Sequence, residues 1–341
     1  MKAFLSDKQA AHYPEHFLEN GVFEQNPEMP ERINRLRAGA LAAGCSLHEP
    51  QNHGMGPIAK VHTPEYLAFL KHAYKRWGYI KGASDAVIPD IRPTTRDGHY
   101  PASVVAQAGY HMSDASSPIT ADTWDSICWS AWTAVDTANA VLTGDKLAYG
   151  LCRPPGHHAS ADIAGGFCYF NNSAIAAAHL QQKYPRVAIL DVDLHHGNGT
   201  QQIFYNRDDV LTVSIHADPV RFYPFFWGHA AERGAGRGLG YNMNLPLPRK
   251  TADAEYLATL QTALTRIEAF APDALVIALG LDASEDDPFG GLSISPVGFR
   301  EIGCMIAASL PCPTAVIQEG GYLSDILGHN LTQFLNGLET P

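Results

Sequence analysis

The chain has 341 residues, of which 45% are hydrophobic and 17% charged, and its formal net charge is −11 at pH 7. This hydrophobic content excludes a disordered chain, and the lack of any run of 18 apolar residues argues against a membrane protein. Because the charge is acidic and Lys and Arg do not cluster, a protein that binds nucleic acid electrostatically is excluded as well.

The amino-terminal 145 residues are predicted to be mostly helices and loops. They begin without the apolar region and cleavage site of a secretion signal, and the six cysteines of the chain form no CxxC pair. We therefore expect a cytoplasmic protein with reduced thiols. Residues 76–101 combine Gly, Pro, Asp and Arg without periodicity, which predicts a long loop insertion. No linker, repeat or low-complexity run divides the chain, so residues 1–341 are expected to form one domain.

Short apolar runs follow residue 146 and are predicted to be β-strands, at residues 147–152, 187–190, 210–215, 274–279 and 314–317. Residues 173–181 and 253–270 lie between these runs and are predicted to be helices. In the second, leucine and isoleucine recur at the three- and four-residue spacing of an amphipathic helix. Continuous apolar strands that alternate with helices predict an α/β fold, with an open, mostly parallel sheet covered by helices on both faces.

Polar side chains follow four of the predicted strands. They lie in residues 153–158 (RPPGHH), 191–195 (DVDLH), 280–282 (GLD) and 319–322 (EGGY). In open α/β sheets, ligands bind beyond the carboxyl ends of parallel strands. The sequence therefore predicts one functional site at that edge of the sheet.

The DVDLH segment indicates a metal site. In an extended backbone Asp191, Asp193 and His195 share one face, and charge at the mouth of a buried apolar strand is costly unless a cation pairs with it. Mixed carboxylate and imidazole ligands suit zinc or iron(II). A catalytic site needs three protein ligands, and Asp282 is the preferred third, with Asp191 as a competitor. Alternatively, Asp282 caps the helix or loop that follows it.

Three further side chains at this edge are suited to proton transfer and carbonyl polarisation. His157 and His158 follow a Pro-Pro-Gly turn, and one of them is expected to accept a proton from water while the other supports it. Tyr322 follows two glycines and offers an uncharged hydrogen-bond donor for a developing oxyanion. The aromatic stretches at residues 165–169 and 222–227 are candidate walls of an access tunnel, although most aromatic side chains are core residues.

With these residues in place, the chain resembles the arginase/deacetylase superfamily, and within it the bacterial acetylpolyamine amidohydrolases and the class II-like histone deacetylases. The matching segments appear in the order of the family and span almost the whole chain. They are residues 26–32 (NPEMPER), 153–159 (RPPGHHA), 165–172 (GGFCYFNN), 191–199 (DVDLHHGNG), 280–282 (GLD) and 319–322 (EGGY). The resemblance implies the arginase/deacetylase fold in a single catalytic domain.

The resemblance also implies two kinds of metal ion. Zinc, at one ion per chain, would be held by Asp193, His195 and Asp282. Asp191 is then a supporting residue: it pairs with His157, the first histidine of the tandem, and helps to hold a structural potassium ion through nearby carbonyl groups, with Ser214 contributing.

In the same resemblance His158 is the general base, His157 is its electrostatic partner, and Tyr322 is the donor that polarises the substrate carbonyl. Asn198, the partner of His158, stands where many eukaryotic-type deacetylases have an aspartate. A neutral amide does not raise the pKa of the histidine as a carboxylate would, which is consistent with a general base that is neutral at rest.

The resemblance further assigns the substrate path. Phe167 and Tyr223 match the two walls of a tunnel. The carbonyl group of Gly166 would receive the leaving amine, and Arg32 matches an arginine deeper in the channel that releases acetate.

The preferred amine is left open. The acid expected to grip the substrate at the rim falls near residues 116–118, where no acid stands, and Asp114 is close by. The length and the insertion at residues 80–101 match the dimeric polyamine enzymes, which implies a homodimer. We therefore expect zinc-dependent deacetylation of a small acetylated amine, a polyamine or diamine, by attack of a metal-activated water molecule.

Three other functions are weighed against this one. The first keeps the chemistry but acts on acetyl-lysine in proteins or peptides. The second is ureohydrolysis of the arginase type, which needs two metals bridged by a carboxylate cluster where residues 280–282 supply a single acid. The third is a metal-binding or interaction protein without catalytic activity.

Overall fold

The computed structural model describes residues 1–340, and its centre is an eight-stranded parallel sheet. In chain order the strands of this sheet are β1 (Lys2–Phe4), β4 (Ser46–His48), β5 (Leu147–Gly150), β6 (Val187–Asp191), β7 (Val210–Ala217), β8 (Asn242–Leu247), β9 (Ala274–Leu279) and β10 (Thr314–Gln318). A separate antiparallel hairpin consists of β2 (His16–Glu19) and β3 (Val22–Gln25). The order across the sheet is β4-β1-β5-β10-β9-β6-β7-β8.

Helices cover both faces of this sheet. They are α1 (Glu31–Ala42), α2 (Pro64–Trp77), α3 (Val104–His111), α4 (Thr123–Leu142), α5 (Asn172–Leu180), α6 (Asn198–Phe204), α7 (Asp253–Phe270), α8 (Pro296–Ser309) and α9 (Leu327–Glu339). One core cluster packs α1, α7, α8 and α9 against the sheet, and the other packs α2 to α6. Within residues 1–340, none of these helices is long and apolar enough to cross a membrane.

The strand β6 shows why the central strands are apolar throughout. Ala188 and Leu190 point into one core cluster, whereas Val187 and Ile189 point into the other. Successive side chains of a strand alternate between the two faces of the sheet, and helices cover both faces here, so each position is buried. The predicted α/β class with a parallel sheet is confirmed.

The predicted strands and helices are all present, with ends that differ by at most two residues, and the helix predicted at 253–270 has the predicted ends. The prediction missed three strands of the main sheet and the hairpin. The strands β1 and β4 lie in the first 145 residues and have three residues each, too few to show an alternating pattern. The strand β8 contains Asn242, Asn244 and Pro246, which favour a loop, and proline is tolerated because β8 is an edge strand.

A long loop, residues 78–103, joins α2 to α3 and largely coincides with the loop predicted at residues 76–101. Arg96 fixes it to the body of the protein. Its guanidinium group donates to both carboxylate oxygens of Asp162, at 3.2 and 2.6 Å, and lies 4.2 Å from the ring of Tyr110. The loop is therefore anchored just beyond the tandem histidines; its origin as an insertion stays a prediction.

Candidate metal centre and active site

Four neighbouring strands bring the predicted polar segments to one edge of the sheet. In the order β5-β10-β9-β6 they are adjacent and parallel, so their carboxyl ends lie side by side. The side chains of His157, Asp193, Asp282 and Tyr322, one from each following segment, are all buried. Burial of this many polar groups in one place is costly unless they are paired, and the contacts at this edge show how His157, Asp193 and Asp282 are paired.

Asp193, His195 and Asp282 form a candidate metal centre. Their potential ligand atoms all lie within 4.8 Å of one another. The Nδ1 atom of His195 is 3.0 Å from Oδ2 of Asp282 and 3.4 Å from Oδ1 of Asp193. Burial and the charge of Asp193 raise the pKa of Asp282 to about 6, because two carboxylates lie side by side in the interior. Two carboxylates and one imidazole are ligands that zinc accepts, so these residues fit the predicted ion.

Glycines make room for these carboxylates. A Cβ atom at Gly280 would collide with Asp193, and one at Gly320 would collide with both Asp193 and Asp282. The N–H of Gly320 donates to Oδ2 of Asp193 at 2.8 Å, and the N–H of the residue after Asp193 donates to Oδ1 of Asp282 at 3.0 Å. The next helix, α8, is capped by Ser295 and not by Asp282. Backbone donors therefore orient both candidate ligands.

Asp191 lies behind the first histidine and outside the metal centre. Its Oδ2 atom is 3.0 Å from Nδ1 of His157, and its Oδ1 atom accepts from the N–H of Asp193 at 3.1 Å. The strand β6 ends at Asp191, so the alternation that would place three ligands on one face does not continue to His195. Of the two candidates for the third ligand, the structure brings Asp282 to the other two.

The tandem histidines have opposite electrostatic environments. Their ring centroids are 4.0 Å apart, and Nδ1 of His158 is 2.7 Å from Oδ1 of Asn198. Burial alone would lower the pKa of His157, but the carboxylates of Asp193 and Asp191 outweigh it and raise that pKa well above its usual value. Burial and the neighbouring histidines lower the pKa of His158 well below its usual value. The environment therefore favours the charged form of His157 and the neutral form of His158, which can accept a proton.

Replacing Asn198 with aspartate is expected to move the acidic limb of the pH profile of kcat/KM for hydrolysis of an acetylated amine to higher pH. The Oδ1 atom of Asn198 accepts the Nδ1 proton of His158, which leaves Nε2 as the basic nitrogen. A carboxylate there stabilises the imidazolium, so the pKa of His158 rises and the base is lost to protonation at a higher pH. We expect the acidic limb of kcat/KM to shift upward by about one pH unit or more.

The control for this variant is Asn206→Asp, which adds the same charge at an exposed position. Its pH profile should coincide with that of the unmodified protein, because exposed charges are screened by solvent. If Asn198→Asp also left the acidic limb in place, His158 would not be the group that titrates there.

Tyr322 is held as a neutral donor at the base of the site. Its ring lies 4.8 Å from that of Phe289 and 5.9 Å from that of Phe167, measured between centroids. Gly321, immediately before it, has a φ of +109°, a conformation that glycine adopts without strain. Burial raises the pKa of the phenol well above its usual value, so the hydroxyl keeps its proton and can donate a hydrogen bond to a carbonyl oxygen.

A cavity of about 700 Å³ opens onto these groups. His158, His195 and Tyr322 line it, and so do Phe167 and Tyr223, the two predicted wall residues. The stretch at residues 222–227 lines it throughout, and its last three aromatic side chains are exposed to solvent. The aromatic stretches thus contribute to a passage between solvent and the candidate metal centre.

Two further residues that line this cavity, Phe17 and Phe289, were not predicted from the sequence. Phe17, on the hairpin of β2 and β3, is buried with its ring centroid 5.4 Å from that of Phe167. The ring of Phe289 is nearly perpendicular to that of His195, with centroids 5.3 Å apart. Neither residue lies in a periodic segment or a motif, so nothing local in the sequence distinguishes them from ordinary core aromatics.

Asp114 lies in the cavity lining and ties its walls together. Its Oδ2 atom accepts from the hydroxyl of Tyr223 at 2.7 Å and from the N–H of Gly166 at 3.2 Å, and its Oδ1 atom accepts from the N–H of Ser116 at 2.9 Å. The charged residues of the lining are Glu19, Asp114, Arg221 and Arg249. The lining therefore offers two acids, of which the sequence indicated only Asp114.

Arg32 holds the backbone that carries Tyr322. Its Nε atom donates to the carbonyl of Gly321 at 2.6 Å, and its Nη2 atom donates to the carbonyl of Glu319 at 2.7 Å. The remaining nitrogen, Nη1, donates to Glu28 at 2.7 Å. This guanidinium group fixes the EGGY turn, while the role in acetate release that the resemblance implies stays a prediction.

Glu28 neutralises two buried arginines, and its removal is expected to destabilise the protein strongly. Its Oε1 atom is 2.7 Å from Arg32 and 2.8 Å from Arg153, and these side chains are 1% exposed. Glu28→Ala leaves two cations without their partner in the interior, so the free energy of unfolding should fall by about 3–5 kcal/mol. Denaturant titration measures this. Glu31→Ala, which breaks an exposed pair with Arg35, should cost less than about 1 kcal/mol; equal losses would contradict the argument.

Glu319 supports the tandem histidines from the neighbouring strand. Its Oε2 atom accepts from the N–H groups of Gly156 and His157, at 2.5 and 2.9 Å, and its Oε1 atom accepts from the hydroxyl of Ser173 at 2.6 Å. The carboxylate thereby joins the EGGY turn after β10 to the RPPGHH turn after β5. The sequence showed this glutamate as part of a motif but gave no indication of its task.

Ser214 is paired with Asp191 across β6 and β7. Both side chains line a small buried cavity of about 10 Å³, together with Thr212 and His196. The Ser214 hydroxyl also lies 2.7 Å from Nδ1 of His216. Carboxylate and hydroxyl oxygens are donors that hard cations accept, so these residues fit the predicted potassium ion. The potassium site itself stays a prediction.

Known proteins are similar to this chain over almost its whole length. Residues 26–338 match the histone deacetylase domain family. The chain is 44% identical to the acetylpolyamine amidohydrolase of Burkholderia pseudomallei (strain 1710b), over 99% of this chain and 98% of that protein. It is 41% identical to acetylpolyamine amidohydrolase 1 of Pseudomonas aeruginosa, over 99% of each chain.

Solved structures show the same fold. The crystal structure of acetylpolyamine aminohydrolase from Burkholderia pseudomallei has a TM-score of 0.97, at 44% identity, and the match covers 100% of this chain and 99% of that one. The structure of the HDA15 HD domain has a TM-score of 0.82, at 27% identity, and the match covers 100% of this chain and 91% of that one. The chain therefore belongs to the histone deacetylase family and, within it, is similar over its full length to acetylpolyamine amidohydrolases.

Proposed function

We propose that this protein is a zinc-dependent amidohydrolase that removes the acetyl group from an N-acetylated polyamine or diamine and yields acetate and the free amine. The proposal rests on one observation. A buried triad of candidate metal ligands, a neutral histidine that can act as general base, and a neutral tyrosine that can donate a hydrogen bond meet at the inner end of one cavity. Full-length similarity to proteins named acetylpolyamine amidohydrolases supports the substrate class.

Asp193, His195 and Asp282 would hold one zinc ion per chain. Bound there, a divalent cation supplies Lewis acidity toward the substrate carbonyl and lowers the pKa of a water molecule at the site. Backbone N–H groups at 2.8 and 3.0 Å orient the two carboxylates, so the ligands are positioned before substrate binds.

The remaining groups move protons and bind the reacting amide. His158 takes a proton from the attacking water at Nε2, because its Nδ1 atom is occupied by Asn198 and its pKa is low. Tyr322 donates its hydroxyl hydrogen to the carbonyl oxygen as negative charge develops there. The pair of His157 and His158 returns a proton to the leaving amine, and the carbonyl of Gly166 accepts an N–H from that amine.

The cavity lining supports a small cationic substrate. Aromatic faces stabilise cations by cation–π contact. Glu19 and Asp114 can attract an ammonium group, while Arg221 and Arg249 in the same lining balance their formal charge. We further propose a homodimer in which residues 78–103 narrow the cavity of the neighbouring subunit, and a cytoplasmic location, which agrees with the six free cysteines.

A second candidate function is deacetylation of acetyl-lysine in proteins or peptides, and the match to the histone deacetylase domain family favours it. Steady-state rates on acetylputrescine, acetylspermidine and an acetyl-lysine peptide separate the two. We expect kcat/KM for an acetylated amine to exceed that for the peptide by about tenfold or more. The reverse order would assign acetyl-lysine as the substrate.

The same protein sample distinguishes the remaining functions. About one zinc ion per chain is expected, because Asp193, His195 and Asp282 form one candidate centre. Two ions per chain with release of urea from a guanidino substrate would indicate ureohydrolysis. Zinc-loaded protein that hydrolysed none of the acetylated amines would indicate a metal-binding protein without this activity.

A further inference from the structure

Asp287 is a buried carboxylate that belongs neither to the candidate metal centre nor to the proton-transfer pair. It follows β9 by eight residues and is 6% exposed. Its Oδ2 atom accepts from the N–H of Tyr322 at 2.9 Å, and its Oδ1 atom accepts from the N–H of Phe289 at 3.0 Å. One side chain therefore holds the backbone of Tyr322, the proposed hydrogen-bond donor to the substrate carbonyl, and the backbone of Phe289, a wall of the cavity.

The backbone at Tyr322 requires such support. Two glycines precede it, and the residues between it and the start of α9 at Leu327 form no helix or strand. Glycine has more conformational freedom than any other residue, so the turn does not fix the phenol by itself. Arg32 binds the carbonyl groups on the preceding side of the turn, at Glu319 and Gly321. Asp287 is the contact on the side of Tyr322 itself.

The two carboxyl oxygens of Asp287 make one of these bonds each. Burial and the charge of Asp282 raise the pKa of Asp287 to about 8, whereas the two N–H donors, from Phe289 and Tyr322, oppose that rise. Each carboxyl oxygen accepts one backbone N–H, so a single side chain ties together the backbone at Tyr322 and at Phe289. Placing a carboxylate here is costly, and the two bonds offset part of that cost.

We propose that Asp287 is a positioning residue for the reaction, which holds the Tyr322 hydroxyl and the Phe289 wall in register with the substrate carbonyl. The inference rests on the proposed function, in which Tyr322 polarises that carbonyl. Phe289 packs directly on the Tyr322 ring, with centroids 4.8 Å apart. Loss of the shared carboxylate therefore lets both side chains move.

Asp287→Asn tests this. The amide oxygen of asparagine can still accept from one backbone N–H group, but the amide nitrogen is itself a donor, so the other hydrogen bond is lost. We expect kcat for an acetylated amine to fall by about 10- to 100-fold, the effect of a misplaced group, with a much smaller change in KM. In a Tyr322→Phe background the same change should lower kcat much less, because the hydroxyl is already absent and only the effect through the Phe289 wall remains. Asp286→Asn, at an exposed neighbouring carboxylate, is the matched control and should behave as the unmodified protein.

Hydrogen–deuterium exchange on the zinc-loaded protein gives a readout that is independent of turnover. Peptides covering residues 319–326 should exchange faster in Asp287→Asn than in Asp286→Asn, while the core strands stay protected. Unchanged exchange in these peptides, or an equal loss of kcat with and without the Tyr322 hydroxyl, would overturn the inference. If the unmodified protein hydrolysed no acetylated amine, the proposed function would fail, and exchange would still decide whether Asp287 holds the turn. If Asp287→Asn does not fold, Asp287→Ser, which keeps one acceptor oxygen, takes its place.

Discussion

Replacing Tyr322 with phenylalanine is expected to lower kcat for a good acetylated amine by about 100- to 1000-fold, the usual cost of removing one oxyanion donor. KM should change little, because the hydrogen bond strengthens as charge develops on the carbonyl oxygen and contributes less to the bound ground state. The ring remains, so its packing on Phe289 and Phe167 is retained. Steady-state kinetics with matched metal content measure the effect.

The control is Tyr256→Phe, which removes a hydroxyl from another buried tyrosine. Tyr256 is 1% exposed, and its hydroxyl has no hydrogen-bond partner among residues 1–340. Its removal should leave kcat near that of the unmodified protein. If Tyr322→Phe behaved like Tyr256→Phe, the phenol of Tyr322 would not polarise the substrate carbonyl.

Removal of the metal is expected to abolish activity, and zinc is expected to restore it. Asp282→Asn replaces one anionic ligand by a neutral amide of the same shape, so metal affinity should fall by about 100-fold or more, beyond the loss typical of residues that only support a ligand. Metal analysis after dialysis and activity against added zinc measure both effects. Binding of metal to the folded state also stabilises it, so the melting temperature should rise on zinc addition.

Asp286→Asn again serves as the control, since this exposed carboxylate lies four residues from Asp282 and outside the triad. It should retain metal and activity. A dialysed Asp282→Asn protein with one zinc ion per chain would show that Asp282 is not a ligand, and undiminished turnover after complete removal of metal would exclude the proposed chemistry.

The local sequence was sufficient for the fold class and for much of the site. Apolar strands buried on both faces leave a continuous hydrophobic run, and parallel strands bring their carboxyl ends to one edge. Those two facts placed Asp193, His195 and Asp282 in one neighbourhood. Alternation failed only where the strand ended: β6 stops at Asp191, and its carboxylate turns to His157.

The tertiary structure decided the contacts that no local pattern carries. Glu28 neutralises arginines 4 and 125 residues away, and Asp287 reaches a backbone N–H 35 residues further along the chain. Phe17 lies on a hairpin outside the main sheet and becomes a cavity wall only through its contact with Phe167. Propensity and periodicity act over a few residues, so they cannot indicate which distant buried group a carboxylate or an aromatic ring will meet. The sequence alone therefore determined the fold class and the chemistry at the edge of the sheet, whereas the walls of the cavity and the supports of its reactive groups were decided by long-range packing.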